Sequence, residues 1–207
     1  MKKKILMSLA LAPLLLAFQC EEEELMNRQI FNNFKVQISV NSTFAINDTI
    51  WLDGRVSTRV FDEATGDSIV FQEYNLNDFL SVLKLKESQN NNGNSVDALD
   101  HFAIVSQIGT TSSDFFCENS ELSITSEISD DGSNFIYRIG LIPNALGDFV
   151  LSWNFESTIL NDSRNLEIID NYPVEGFERA LDFNRCGRRT TLPNINNSEK
   201  EFFFSVQ

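Results

Sequence analysis

Phe135-Ile136-Tyr137-Arg138-Ile139-Gly140-Leu141-Ile142-Pro143-Asn144-Ala145-Leu146-Gly147-Asp148-Phe149-Val150-Leu151-Ser152-Trp153-Asn154-Phe155 is the stretch that decides the fold. Its first half sets Phe135, Tyr137, Ile139 and Leu141 at every second position, the period of a strand with one buried face. Asn144 to Gly147 reads as a turn, and Phe149, Leu151, Trp153 and Phe155 resume the alternation on a returning strand. Just upstream, Asp130-Asp131-Gly132-Ser133 is a hairpin-type turn, preceded by Leu122, Ile124 and Ile128 in step with one another.

The same period extends in both directions. Phe34, Val36, Ile38 and Val40 alternate with Lys35, Gln37 and Ser39. Asp48 to Val60 is a second apolar-patterned segment, with a bulge or kink predicted at Asp53-Gly54. Ala64 to Asp67 reads as a turn before Ile69-Val70-Phe71, and Leu80 to Leu85 is a further strand. Gln89 to Ser95 is expected to be a polar loop without core-forming capacity. Residues 102–108 alternate again, and Phe202 to Val206 is the last strand. Val174, Phe177 and Leu181 sit at i, i+3 and i+7, which permits one short helix. About eight or nine short strands with turns between them, and no βαβ alternation, predict an all-β, antiparallel β-sandwich.

The chain has 207 residues, enough for one domain with an appendage, and 42% of them are hydrophobic. Thirty acidic against 16 basic side chains give a net charge of -14. Such a surface repels phosphate backbones, so nucleic acid is not an expected partner.

Residues 1–19 read as an export signal. Lys2, Lys3 and Lys4 form a basic start, and Ile5 to Phe18 form an apolar stretch too short to span a bilayer. Leu16-Ala17-Phe18-Gln19-Cys20 resembles the lipobox of bacterial lipoproteins, with Gln19 where a small residue is usual. The resemblance implies cleavage before Cys20 and lipid on its thiol. Glu21-Glu22-Glu23-Glu24 resembles the surface-export signal of lipoproteins from Bacteroidota-type bacteria, and equally fits a solvated tether. Together these imply an outer-membrane, lipid-anchored protein facing the cell surface, or the periplasm. Two or three acyl chains would make the anchor effectively permanent.

Two further resemblances are local. Ile46-Asn47-Asp48-Thr49-Ile50-Trp51-Leu52-Asp53-Gly54, and Gly147-Asp148-Phe149-Val150-Leu151, resemble strands of Ig-like domains in secreted bacterial proteins. They imply an Ig-like or fibronectin-like sandwich over residues 33–207, following a lipidated tether at 20–32. Asp48-Thr49-Ile50 and Asp67-Ser68-Ile69 resemble O-glycosylation sequences of Bacteroidota-type bacteria, which would modify Thr49 and Ser68, or else both residues simply begin strands.

With Cys20 lipidated, Cys117 and Cys186 remain as an even pair in an oxidising compartment, expected to form a disulfide. Few routes to catalysis are visible. His101 is the single histidine, and no P-loop, GxGxxG or HExxH is present. Turns at Asp62-Glu63…Asp67 and Asp130–Asn134 carry oxygen ligands, but neither has EF-hand spacing, and no metal or cofactor is expected. Trp153 keeps step with core positions, whereas Trp51 is out of phase with Ile50 and Leu52 and is the candidate for stacking on a ligand. The expected function is a non-enzymatic envelope module for binding, adhesion or accessory work, on an unknown protein or glycan partner. A glycan-binding lipoprotein of a nutrient-uptake system and a secreted hydrolase are the alternatives. The loops at Gln89–Ser95 and Asp130–Asn134 are the expected carriers of binding residues.

Overall fold

The structure, a computed structural model, describes residues 28–88, 93–113, 119–153, 157–160, 165–185, 187–195 and 199–207. In chain order the strands begin with β1 (Gln29–Ile30), β2 (Lys35–Ile38), β3 (Thr43–Phe44), β4 (Ile50–Ser57), β5 (Arg59–Asp62) and β6 (Asp67–Val70). They continue with β7 (Asn77–Leu85), β8 (Ser95–Asp97), β9 (Phe102–Ile108), β10 (Thr110–Ser113), β11 (Glu121–Thr125) and β12 (Glu127–Ile128). The last six are β13 (Asn134–Pro143), β14 (Gly147–Trp153), β15 (Thr158–Ile159), β16 (Leu181–Arg185), β17 (Arg188–Leu192) and β18 (Glu201–Val206).

The chain divides into two compact units. Among the described residues, the smaller takes in 28–31 and Val60–Ile69. Here β1, β5 and β6 form a three-stranded sheet, with Gln29 opposite Asp62 and Ile30 opposite Phe61. Gln29 and Ile30, expected in the tether, are therefore paired strand. The Asp62 carboxylate accepts the Ala64 N–H at 2.8 Å, and Gly66 at φ +70° closes the turn.

The larger unit is the sandwich. One sheet runs β12-β13-β4-β2-β15, with β9 also paired to β13. The other runs β10-β11-β7-β14-β18-β3, with β8 beside β7. Taking β2, β4, β7, β9, β13, β14 and β18 as strands A to G, the sheets read A-B-E-D and G-F-C, the order of an immunoglobulin-type sandwich. Inner-face aromatics join the layers. Phe102 meets Phe149 edge-on at 5.1 Å between ring centroids, and Phe149 stacks on Phe204 at 5.7 Å. Ring pairs of this kind add about 0.5–1.5 kcal/mol beyond their buried area.

The seven-stranded sheet is covered on its outer side as well. Residues between β14 and β18 supply a short 3-10 helix, Leu166–Asn171, and the β16–β17 hairpin. Ile168, Ile169, Leu181, Phe183 and Ile195 pack there on Leu83, Leu85, Val150 and Phe203. Phe202, Phe203 and Phe204 are all fully buried because β18 has a core on each face.

Three expectations need correction. No bulge occurs at Asp53-Gly54, because β4 keeps unbroken register with β13 from Ile50 to Ser57. Gly54 is required for another reason: a Cβ there would lie 2.0 Å from Cζ of Tyr137, whose ring fills that space. No helix forms over 174–181, since Gly176 (φ +81°) and Arg179 (φ +46°) take left-handed backbone and Leu181 begins β16. The polar loop is not all surface: Asn94 and Ser95 are buried, and Ser95 opens β8, while residues 89–92 lie outside the described residues.

Candidate functional site

Alternation in β4 and β13 sends every second side chain to the outer face of the six-stranded sheet. Among the described residues no covering layer like the one between β14 and β18 lies on that face, and its rows can be read from the register. Trp51 faces Gly140, Asp53 faces Arg138, and Arg55 faces Ile136. On the other side of β4, Gln37 faces Asp53 and Lys35 faces Arg55.

Arg138 organises the middle of the face. Its Nη1 donates to both oxygens of Asp53 at 2.7 and 2.8 Å, and its Nε to Gln107 at 2.9 Å. Its guanidinium lies 4.7 Å from the Trp51 ring centroid. Gly140 allows this arrangement, because a Cβ there would come within 3.0 Å of the indole. Trp51 thus lies on the outer face with Arg138 against one side of its ring, whereas Trp153, 3% exposed, is in the core. The ion pair is half-exposed and on its own worth less than about 1 kcal/mol, but the stacked indole and the Gln107 bond hold the guanidinium in one place.

Beside this ridge are two open depressions. One, of about 410 Å³, has Ile108, Ile136 and Leu160 as apolar lining with Lys35, Gln37 and Arg55 around them. The second, of about 390 Å³, is lined by Asn32, Asn33, Lys35, Arg55, Ser57 and Asn134. Lys35 and Arg55 belong to both. Asp53 is the acid in these linings, and Arg138 holds both its oxygens. The arrangement can hydrogen-bond a ligand and pack against its apolar parts.

A buried polar group lies on the other face of the same strands. The Asp78 carboxylate accepts the Tyr137 hydroxyl at 2.7 Å, the Ser157 hydroxyl at 2.8 Å and the Phe79 N–H at 2.9 Å. Burial pushes this carboxyl up despite those donors, and burial beside Asp78 pushes the Tyr137 hydroxyl well above its usual range. The Trp153 indole N–H is close enough to favour the carboxylate but outside hydrogen-bond geometry. With Asp78 1% and Tyr137 2% exposed, this knot is sealed from solvent and binds the two sheets together.

The candidates named from sequence fall in scattered places. Cys20, Glu21, Glu22, Glu23, Glu24, Cys117 and Cys186 lie outside the described residues. Thr49 is half-buried with its methyl near Gly140, and Ser68 is exposed on β6. His101 packs edge-on to Phe149 at 6.0 Å, and its buried Nδ1 has no hydrogen-bond partner among the described residues. In the Asp130–Asn134 turn, Asp131 accepts bonds from Ser129 Oγ, Ser133 N and Ser133 Oγ, which hold its carboxyl down at about 2. Those oxygens are spent on closing the turn. Among the described residues no group of three His, Cys, Asp or Glu is placed to hold a metal ion. Sequence alone does not mark Lys35, Arg55 and Arg138 as a site; the one signal they carry is a cation at a solvent-facing position of a strand in an acidic chain.

Compared with protein-family models, with characterised proteins and with solved structures, the chain matches none.

Proposed function

We propose that this chain is a lipid-anchored cell-envelope protein whose sandwich is a recognition module rather than an enzyme, binding through the outer face of its six-stranded sheet. The observation that carries the reading is the pair of open depressions on that face, lined by amides, cations and apolar side chains and bordered by the Trp51–Arg138–Asp53 ridge. Sites built on paired strands are held more firmly than sites on loops. Anchorage at Cys20 rests on Lys2 to Lys4, the apolar run and the lipobox-like end, and the acidic run at Glu21–Glu24 supports display on the cell surface. A glycan partner, as in a nutrient-uptake system, suits the mixture of amide and apolar lining better than a flat protein surface does. A hydrolase would need converging carboxylates, and the depressions hold Asp53 already bound to Arg138.

The test has two arms. Metabolic labelling with a palmitate analogue should mark the wild-type chain and not Cys20→Ser; label that survives the substitution removes the anchor. A glycan array should give hits that Arg138→Ala weakens roughly tenfold or more, as expected for loss of the cation that is stacked on Trp51 and bonded to Asp53 and Gln107. Hits indifferent to both Arg138→Ala and Trp51→Ala would move recognition off this face.

A further inference from the structure

We infer that Lys35 and Arg55 form an anion-binding pair, and that the sheet face takes an acidic oligosaccharide whose carboxylate or sulfate bridges them. The inference rests on the reading of this face as a recognition surface. Its starting point is the register: Lys35 of β2 stands directly opposite Arg55 of β4. Like charges at opposed positions repel. The chain has 30 acidic residues against 16 basic ones, so a cation facing a cation is the pairing its composition least favours.

Among the described residues no acidic side chain pairs with either of them, and both are exposed. Asp53 in the adjoining row has both oxygens on Arg138. Glu127 stands at the far end of their own row, beyond Ile136, and accepts the Gly109 N–H at 3.1 Å. An anion between Lys35 and Arg55 would relieve their repulsion and gain charge-assisted hydrogen bonds.

The surroundings indicate what carries the anion. The two depressions meet at this pair, so a chain crossing both would set a charged group between the cations. Ile108, Ile136 and Leu160 suit the C–H faces of sugar rings, and Gln37, Asn32 and Asn134 suit their hydroxyls. An extended anionic surface, such as a bilayer or a nucleic acid, would meet the net charge of -14, whereas a short acidic glycan meets mainly the local field.

Isothermal titration calorimetry of the full chain in a neutral detergent provides the test. The probes are an oligogalacturonate of defined length, its neutral methyl ester, a sulfated oligosaccharide and inorganic phosphate. Saturable binding of at least one acidic oligomer is expected, weakened by added salt and much tighter than binding of the ester or of phosphate. Lys35→Gln and Arg55→Gln should each weaken it roughly tenfold or more, and Arg188→Gln on β17 should not. Thermal melting adds a readout that a structural role would move the other way. Without ligand, Tm should hold or rise in both variants, because a repulsion is removed. The inference is overturned if neither acidic oligomer binds, if ester or phosphate binds equally well, if both variants bind normally, or if both variants lose Tm. Ester binding that needs Trp51 and Arg138 but neither Lys35 nor Arg55 would leave the recognition reading standing while removing the anion pair.

Discussion

Asp78 and Tyr137 show how burial and a hydrogen bond, acting in opposite directions, shape the pH response of the core. The native carboxyl titrates above its usual value of 3.8 because burial outweighs its donors. Between those two values the native state holds a proton that the unfolded chain has released. Stability therefore falls as pH rises through that window and levels off above the native value. Tyr137→Phe removes the donor that most favours the carboxylate. The native value should rise further, the decline should extend to higher pH, and stability at neutral pH should drop by about 1.5–3 kcal/mol. Urea titrations of both proteins from about pH 4 to pH 8 check this; parallel curves with equal midpoints would show that the hydroxyl does not act on Asp78. The Tyr137 position was legible from alternation alone. Its partner was not, because Asp78 is 59 residues away and nothing local marks it as buried.

At the scale of elements, one side chain makes three of the hydrogen bonds that hold the β14–β18 connection against the sheet. Asn94 Nδ2 donates to the carbonyls of Tyr172 and Ala180, both at 2.8 Å, and its Oδ1 accepts the Asp182 N–H at 2.8 Å. Asn94→Ala would orphan three backbone groups, at about 1–3 kcal/mol for each that water cannot reach. Amides of β16 should then lose hydrogen-exchange protection while those of β4 and β13 keep theirs; equal loss in all three would mean that the connection is not a separable layer. The sequence pattern conveyed part of this arrangement. Strands with one solvent face, such as β4 and β13, were readable from their period of two. Where both faces are buried the period vanishes, and the Phe202-Phe203-Phe204 run marks such a strand without naming its second partner. The spacing of Val174, Phe177 and Leu181 mimicked a helix because a turn and a strand start fell at helical intervals. The Lys35–Arg55 pair lay within plain sight as two residues, but only the β2–β4 register sets them opposite each other.

For the whole molecule, the proposed Cys117–Cys186 disulfide would close a loop of about 70 residues, worth roughly 4 kcal/mol on the chain-entropy account. The unfolded, unreduced protein should yield no free thiol from either position, and reduction should lower the melting temperature. Two reactive thiols would defeat the proposal. A separate consequence follows from β3, which pairs with β18 in parallel, Thr43 opposite Ser205 and Phe44 opposite Val206. Further bonds run from the Ser205 N–H to the Ser42 carbonyl and from the Gln207 N–H to the Phe44 carbonyl. If the chain is held on its N-terminal side and dragged on its C-terminal side, the two strands are pulled lengthwise in opposite directions. The bonds between them then share the load at once instead of parting one after another. Under that load the short β3 strand would act as a mechanical clasp.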